Sequence, residues 1–209
     1  MKRIAVLVSG GGTNLQALID AQTRGELGGG QLVAVISSKA GAYALERAEK
    51  AGIAGYVLPR KNFDSNRAMT VALVEMLKDL HIDLVVLAGC MIIFTEELVN
   101  AYPNAIMNVH PALIPSFCGP GYYGLRVHEE ALKYGVKLSG ATVHFVSEEC
   151  DGGPIIAQKS VEVRPDDTPE ILQKRIMEQA EWILLPQAVS LFCQDRLLVD
   201  GRTVIIKEN

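Results

Sequence analysis

The chain has 209 residues, 49% of them hydrophobic and 21% charged, enough apolar material for a substantial core. Its net charge of −4 excludes a surface built to coat nucleic acid. The four cysteines, Cys90, Cys118, Cys150 and Cys193, show no C-x-x-C spacing and read as free thiols of a reducing compartment, the cytoplasm.

The first predicted strand covers residues 3–8; its apolar run is too short for a signal peptide and leads straight into glycines. Further Val- and Ile-rich runs at 32–37, 55–58, 84–88 and 105–109 read as strands, and amphipathic patterns at 15–23, 43–51, 67–80 and 95–101 read as helices between them. This alternation predicts an α/β fold, a mostly parallel twisted sheet with helices on both faces. The period then changes. Residues 139–147 and 154–163 look like two longer strands that extend the sheet as an antiparallel pair, joined by a loop over 148–153. A long helix should start at Thr168 as N-cap, with Pro169 at the first helical position and Glu170 at the positive end of the dipole. Pro186 lacks an N–H and should kink that helix or restart it, and 203–207 reads as a last short strand. No stretch is long and apolar enough to cross a membrane, and no repeat or linker divides the chain, so residues 1–209 read as one domain.

Strand one ends in Ser9-Gly10-Gly11-Gly12-Thr13-Asn14 and a helix follows. Glycines let backbone N–H groups converge, and the helix N-terminus adds partial positive charge. With side-chain donors from Thr13 and Asn14, Gly12 to Asn14 form a candidate phosphate cradle. No Gly-Lys-Ser/Thr follows, so it is not a Walker A loop; Leu15 stands where a dinucleotide fingerprint needs its third glycine. A phosphomonoester suits it better than NAD, with a plain tight turn as the bland alternative.

Leu87-Ala88-Gly89-Cys90-Met91-Ile92-Ile93-Phe94 follows a central strand and could wall a flat ring, though alone it reads as core packing. In Asn108-Val109-His110-Pro111, residues i and i+2 of a strand share a face, so a carboxamide and an imidazole stand side by side. One can donate to a developing oxyanion and the other can move a proton, a pairing suited to attack on a carbonyl. Asp151, in Cys150-Asp151-Gly152-Gly153-Pro154, is ordinary turn chemistry unless its loop folds over His110, where it would raise the imidazole pKa. His144 alternates with Val143 and Phe145 and reads as a satisfied sheet histidine, while His128 opens a helix and reads as structural or pocket-lining. No His/Cys/Asp/Glu set has metal-ligand spacing, and no G-x-S-x-G or Cys/His motif supports a covalent nucleophile.

From Ile4 to about Ala188 the chain resembles the folate-dependent phosphoribosylglycinamide formyltransferases of purine synthesis. The resemblance rests on the stretch Ser9 to Gln16, on Leu87 to Met91, on Asn108-Val109-His110-Pro111-Ala112-Leu113-Ile114-Pro115, on Gly140 to Val146 and on Asp151 to Ile156, in this order and spacing. It implies a Rossmann-like formyltransferase fold and transfer of formyl from 10-formyltetrahydrofolate, as cosubstrate, to the amine of glycinamide ribonucleotide, with no metal. It assigns Asn108, His110 and Asp151 to catalysis, and Gly12, Thr13 and Asn14 to the substrate phosphate. It places the folate among Met91, Ile92, Ile93, Phe94, Asn108 and Asp151, and Glu181 near the substrate amine. The implied partners are these two small molecules, with neither nucleic acid nor membrane, and the enzyme acts as a monomer or homodimer. Ile92 stands where the family often has arginine, and Trp182 where histidine is common; the stretch 118–126 is longer than in some members.

Three other readings compete. A formyltetrahydrofolate hydrolase shares the Asn/His/Asp core, with water in place of the amine, but usually carries an extra N-terminal domain. A methionyl-tRNA formyltransferase usually adds a C-terminal tRNA-binding domain. A non-catalytic folate or nucleotide binder would need no such trio.

Overall fold

In the computed structural model, which describes residues 1–208, the apolar runs of the N-terminal half become five parallel strands. They are β1 (Lys2–Val8), β2 (Gly30–Ser37), β3 (Ala54–Val57), β4 (Leu84–Leu87) and β5 (Ile106–His110). Between them lie α1 (Thr13–Thr23), α2 (Tyr43–Lys50), α3 (Asn66–Asp79) and α4 (Glu96–Ala101). Then come α5 (Arg126–Tyr134), β6 (Leu138–Phe145), β7 (Ile155–Glu162), α6 (Pro169–Ile176), α7 (Trp182–Cys193), β8 (Leu197–Asp200) and β9 (Thr203–Ile206). The nine strands form one sheet in the order β3-β2-β1-β4-β5-β6-β7-β9-β8.

The alternation of side chains along β1 builds two cores. Ile4, Val6 and Val8 pack on one face with Leu15 and Leu18 of α1 and Leu185 and Val189 of α7. Ala5 and Leu7 face the other way, onto Met69, Leu73 and Leu77 of α3 and Leu98 of α4. Helices therefore cover both faces of the parallel half, as the buried apolar strands require.

β5 is the strand at which the sheet changes sense. It runs parallel to β4, with Leu87 opposite Asn108, and antiparallel to β6, with Asn108 opposite His144 and His110 opposite Thr142. β6 and β7 supply the expected antiparallel extension. β5 ends one residue later than the apolar run suggests, which brings His110 inside the ladder. β8 was not foreseen: it is short and half-exposed, and it completes a terminal hairpin that meets β7 through one pair, Ile155 with Thr203.

The Thr168 cap forms as expected, its hydroxyl accepting from the Ile171 N–H. The helix breaks earlier than Pro186. A π-helical turn covers Met177–Glu181, and α-helix resumes at Trp182. Pro186 then lies one turn into α7, its missing N–H directed at the start of the resumed helix, where it interrupts least.

Candidate active site

Three chain segments meet at the carboxyl edge of the parallel strands. β5 carries Asn108 and His110 on one face. The 148–153 loop folds over them rather than projecting as a plain turn: the Phe145 N–H bonds the Pro154 carbonyl at 2.9 Å. A Cβ on Gly153 would stand 1.8 Å from the Phe145 carbonyl, so only glycine permits this approach. Asp151 takes a left-handed φ of 54°, which Asp tolerates better than most residues. Its Oδ2 lies 3.6 Å from His110 Nδ1, and its Oδ1 lies 3.6 Å from His144 Nε2 and 3.5 Å from Asn108 Nδ2.

His144, read from sequence as a satisfied sheet histidine, is buried and satisfied, and it also touches the trio. Its Nδ1 meets the Phe145 carbonyl at 2.9 Å, and a carbonyl only accepts, so Nδ1 carries the proton in neutral imidazole. Nε2 is then the acceptor for Asn108 Nδ2, 3.2 Å away. One N–H of Asn108 is thus fixed, which also sets the direction of the other; that second N–H makes only the long contact to Asp151 and is available to an oxyanion. Sequence reasoning lacked the register that sets His144 opposite Asn108.

His110 is 4% exposed, and its Nε2 meets the Phe117 carbonyl at 2.8 Å. Burial pushes its pKa below the ordinary histidine value, and the nearby Asp151 and Phe117 carbonyl offset this only in part. Asp151 thus raises the His110 pKa, as expected, but burial outweighs it and the resting imidazole is neutral at pH 7. Burial alone would raise the Asp151 pKa, but the positive charge of a protonated imidazole at His144 or His110, and the Gly119 N–H 2.9 Å from Oδ2, pull it below the usual carboxylate value. Phe117 and, from the 118–126 stretch, Gly119 thus link His110 to Asp151.

Segment 111–114 is clamped by Thr142, also unforeseen. Its hydroxyl donates to the Ala112 carbonyl (2.7 Å) and accepts from the Ile114 N–H (3.1 Å) and Gln158 Nε2 (3.0 Å). The Ile114–Pro115 peptide in this segment is cis.

His128 lies fully buried on α5, both ring nitrogens without a partner. Burial, with His110 nearby, pushes its pKa from 6.5 down to about 4. Between these values the unfolded chain binds a proton that the folded chain refuses, so stability falls as pH drops, by about 1.4 kcal/mol per unit. Urea unfolding at about pH 7 and about pH 5.5 should show His128→Leu losing about 1.4 kcal/mol less than the parent; equal losses would remove His128 as the source.

At the glycine loop, Gly12 has φ 72° and directly precedes α1, whose first turn receives no side-chain cap. The N–H groups of that turn are free for an anion. Thr13 is exposed. One N–H of the Asn14 side chain bonds Glu181 Oε2 at 2.7 Å, and its Oδ1 is buried and unpartnered. Glu181, the last residue of the π-turn, is 6% exposed, and burial raises its pKa against the opposing Asn14 bond. It thus sits against the phosphate cradle.

In the segment after β4, Met91 and Ile93 are 56% and 77% exposed, whereas Ile92 and Phe94 pack into the core beneath. The sequence reading as core packing holds for one side of this segment, and the other presents apolar surface. The Met91 N–H bonds Ser9 Oγ at 2.9 Å, which ties the segment to the start of the glycine loop. Among the described residues, no group of three or more His, Cys, Asp or Glu is placed to hold a metal ion.

The formyl transferase family model matches residues 2–189. A phosphoribosylglycinamide formyltransferase of Haemophilus influenzae is 43% identical over 94% of this chain and 90% of that protein. Glycinamide ribonucleotide transformylase 1 from Symbiobacterium toebii superposes with a TM-score of 0.94 at 43% identity, over 100% of this chain and 95% of that one. A formyltetrahydrofolate deformylase from Pseudomonas syringae pv. tomato superposes with a TM-score of 0.87 at 28% identity, over 99% of this chain and 66% of that one.

Proposed function

The chain belongs to the formyl transferase family, and from that membership we propose that it transfers formyl from 10-formyltetrahydrofolate to the amine of glycinamide ribonucleotide in purine synthesis, as one domain. The observation that carries the site assignment is the convergence of Asn108, His110 and Asp151, 43 residues apart in sequence at the widest, within hydrogen-bond or ion-pair range. The folate, a cosubstrate, fits the exposed apolar side chains of Met91 and Ile93, on the segment that follows β4, the strand paired with β5, with Ile92 and Phe94 as the buried footing.

In this mechanism Asn108 donates to the formyl oxygen as it gains charge, steadied by His144. His110 begins neutral, its Nε2–H on the Phe117 carbonyl; its Nδ1 takes the proton the amine sheds and returns it to the folate nitrogen as the bond from that nitrogen to the formyl carbon breaks and tetrahydrofolate leaves. Asp151 pairs with the imidazolium that results, so its charge acts after proton transfer rather than before it. The first turn of α1 and the peptides of Gly11 and Gly12 hold the phosphate, and Glu181 lies where it can face the substrate beyond it. We place the enzyme in the cytoplasm on its four free cysteines, as a monomer or homodimer.

Hydrolysis is the second reading, on the likeness to the deformylase at 28% identity; the 43% identity to the transformylase favours transfer. One assay separates them. The protein is given 10-formyltetrahydrofolate with and without glycinamide ribonucleotide, and free tetrahydrofolate is followed. Release that depends on the amine is expected; release without it means hydrolysis, and no release leaves a binding protein.

A further inference from the structure

Helix α2 takes no part in the site described so far, yet it grips the back of the glycine loop. The Ala44 N–H donates to the Gly10 carbonyl at 3.2 Å. Arg47 Nε donates to the Gly11 carbonyl at 2.9 Å, and its Nη1 donates to Gln16 Oε1 at 2.7 Å. The guanidinium lies 4.9 Å from the centre of the Tyr43 ring, which limits its swing. The fit is close: a Cβ on Gly12 would stand 2.7 Å from Ala44 Cβ.

In a trans peptide the C=O and the following N–H point in opposite directions. Carbonyls of Gly10 and Gly11 drawn toward α2 therefore turn the N–H groups of Gly11 and Gly12 away from it, and the loop runs from there directly into the uncapped first turn of α1. Glycine peptides have little preference of their own and can flip, and a flipped peptide would present its carbonyl oxygen to an anion. The loop needs an outside restraint, and the Arg47 bond supplies it with the strength of a charge-assisted contact.

We propose that Arg47 is the positioning residue of the substrate-phosphate site: it locks the Gly11 peptide so that the Gly12 N–H faces the phosphate, without touching the phosphate itself. This rests on the glycinamide ribonucleotide reading above. It sets Arg47 apart from a mere brace of α2 because its effect should fall on one ligand and not on turnover.

Arg47→Met should raise KM for glycinamide ribonucleotide about tenfold, the scale of one lost charge-assisted bond passed on in part. The same factor should appear in the inhibition constant of inorganic phosphate. kcat and KM for 10-formyltetrahydrofolate should stay within about twofold. Arg47→Lys, which keeps the charge but not the planar fork, should recover little of the loss. A fall in kcat with an unmoved phosphate constant, or equal rises in both KM values, overturns the proposal. Should Arg47→Met unfold, Gln16→Met removes the Nη1 partner and leaves the cation; about a threefold rise in both constants is expected there, and unmoved constants overturn the proposal. If the parent shows no amine-dependent transfer, the function reading fails by itself, and phosphate binding followed by calorimetry on parent and Arg47→Met still decides the role of Arg47.

Discussion

Replacing His110 with alanine is expected to cut turnover on the order of hundreds-fold or more, with the KM of both substrates within about twofold of the parent. The side chain is buried and its nitrogens already face Phe117 and Asp151, so it adds little to ground-state binding. Its contribution comes when the attacking amine loses a proton. Steady-state release of tetrahydrofolate gives kcat and KM together; near-normal turnover would remove His110 from the chemistry. A large rise in KM with kcat preserved would instead make it a binding residue.

Asp151→Asn should also lower turnover strongly, by about a hundredfold, and in addition move a pH limb. His110 acts deprotonated, so rate falls as pH drops through its pKa, which burial already sets below the ordinary value. Asp151 is the charge that opposes this, 3.6 Å from Nδ1. Without it the imidazolium is less stable, the His110 pKa falls further, and the acid limb of kcat/KM shifts to lower pH while the plateau drops. Proton NMR of the His110 ring in parent and variant checks the shift directly. A fixed pKa would reduce Asp151 to a turn residue.

Much of this arrangement was legible in the chain itself. The strand runs and the helix patterns between them anticipate the doubly covered sheet, because strands buried on both faces must be apolar at every position. The N-x-H-P spacing places two polar groups on one face through strand geometry alone. What stayed hidden depends on contacts across long separations. Asn14 reads locally as a phosphate donor, and nothing in the sequence shows that it also bonds Glu181, 167 residues away. His144 looks like one alternating strand residue until the register sets it opposite Asn108. The charge on His110 needed its burial as well as its neighbour, and the desolvation outweighs Asp151. The π-turn before α7 has no local signal beyond Pro186, which lies five residues past its end.

The change of sense at β5 has a consequence for assembly. Asn108 and His110 share one face, and Asp151 arrives on the loop beyond β6, so β5 must find β6 in the native pairing before the three groups can meet. A slip of one residue would send both β5 side chains through to the opposite side of the sheet while leaving most helices intact. Recovered catalysis after dilution from denaturant is therefore a stricter gauge of correct strand alignment than recovered helical ellipticity.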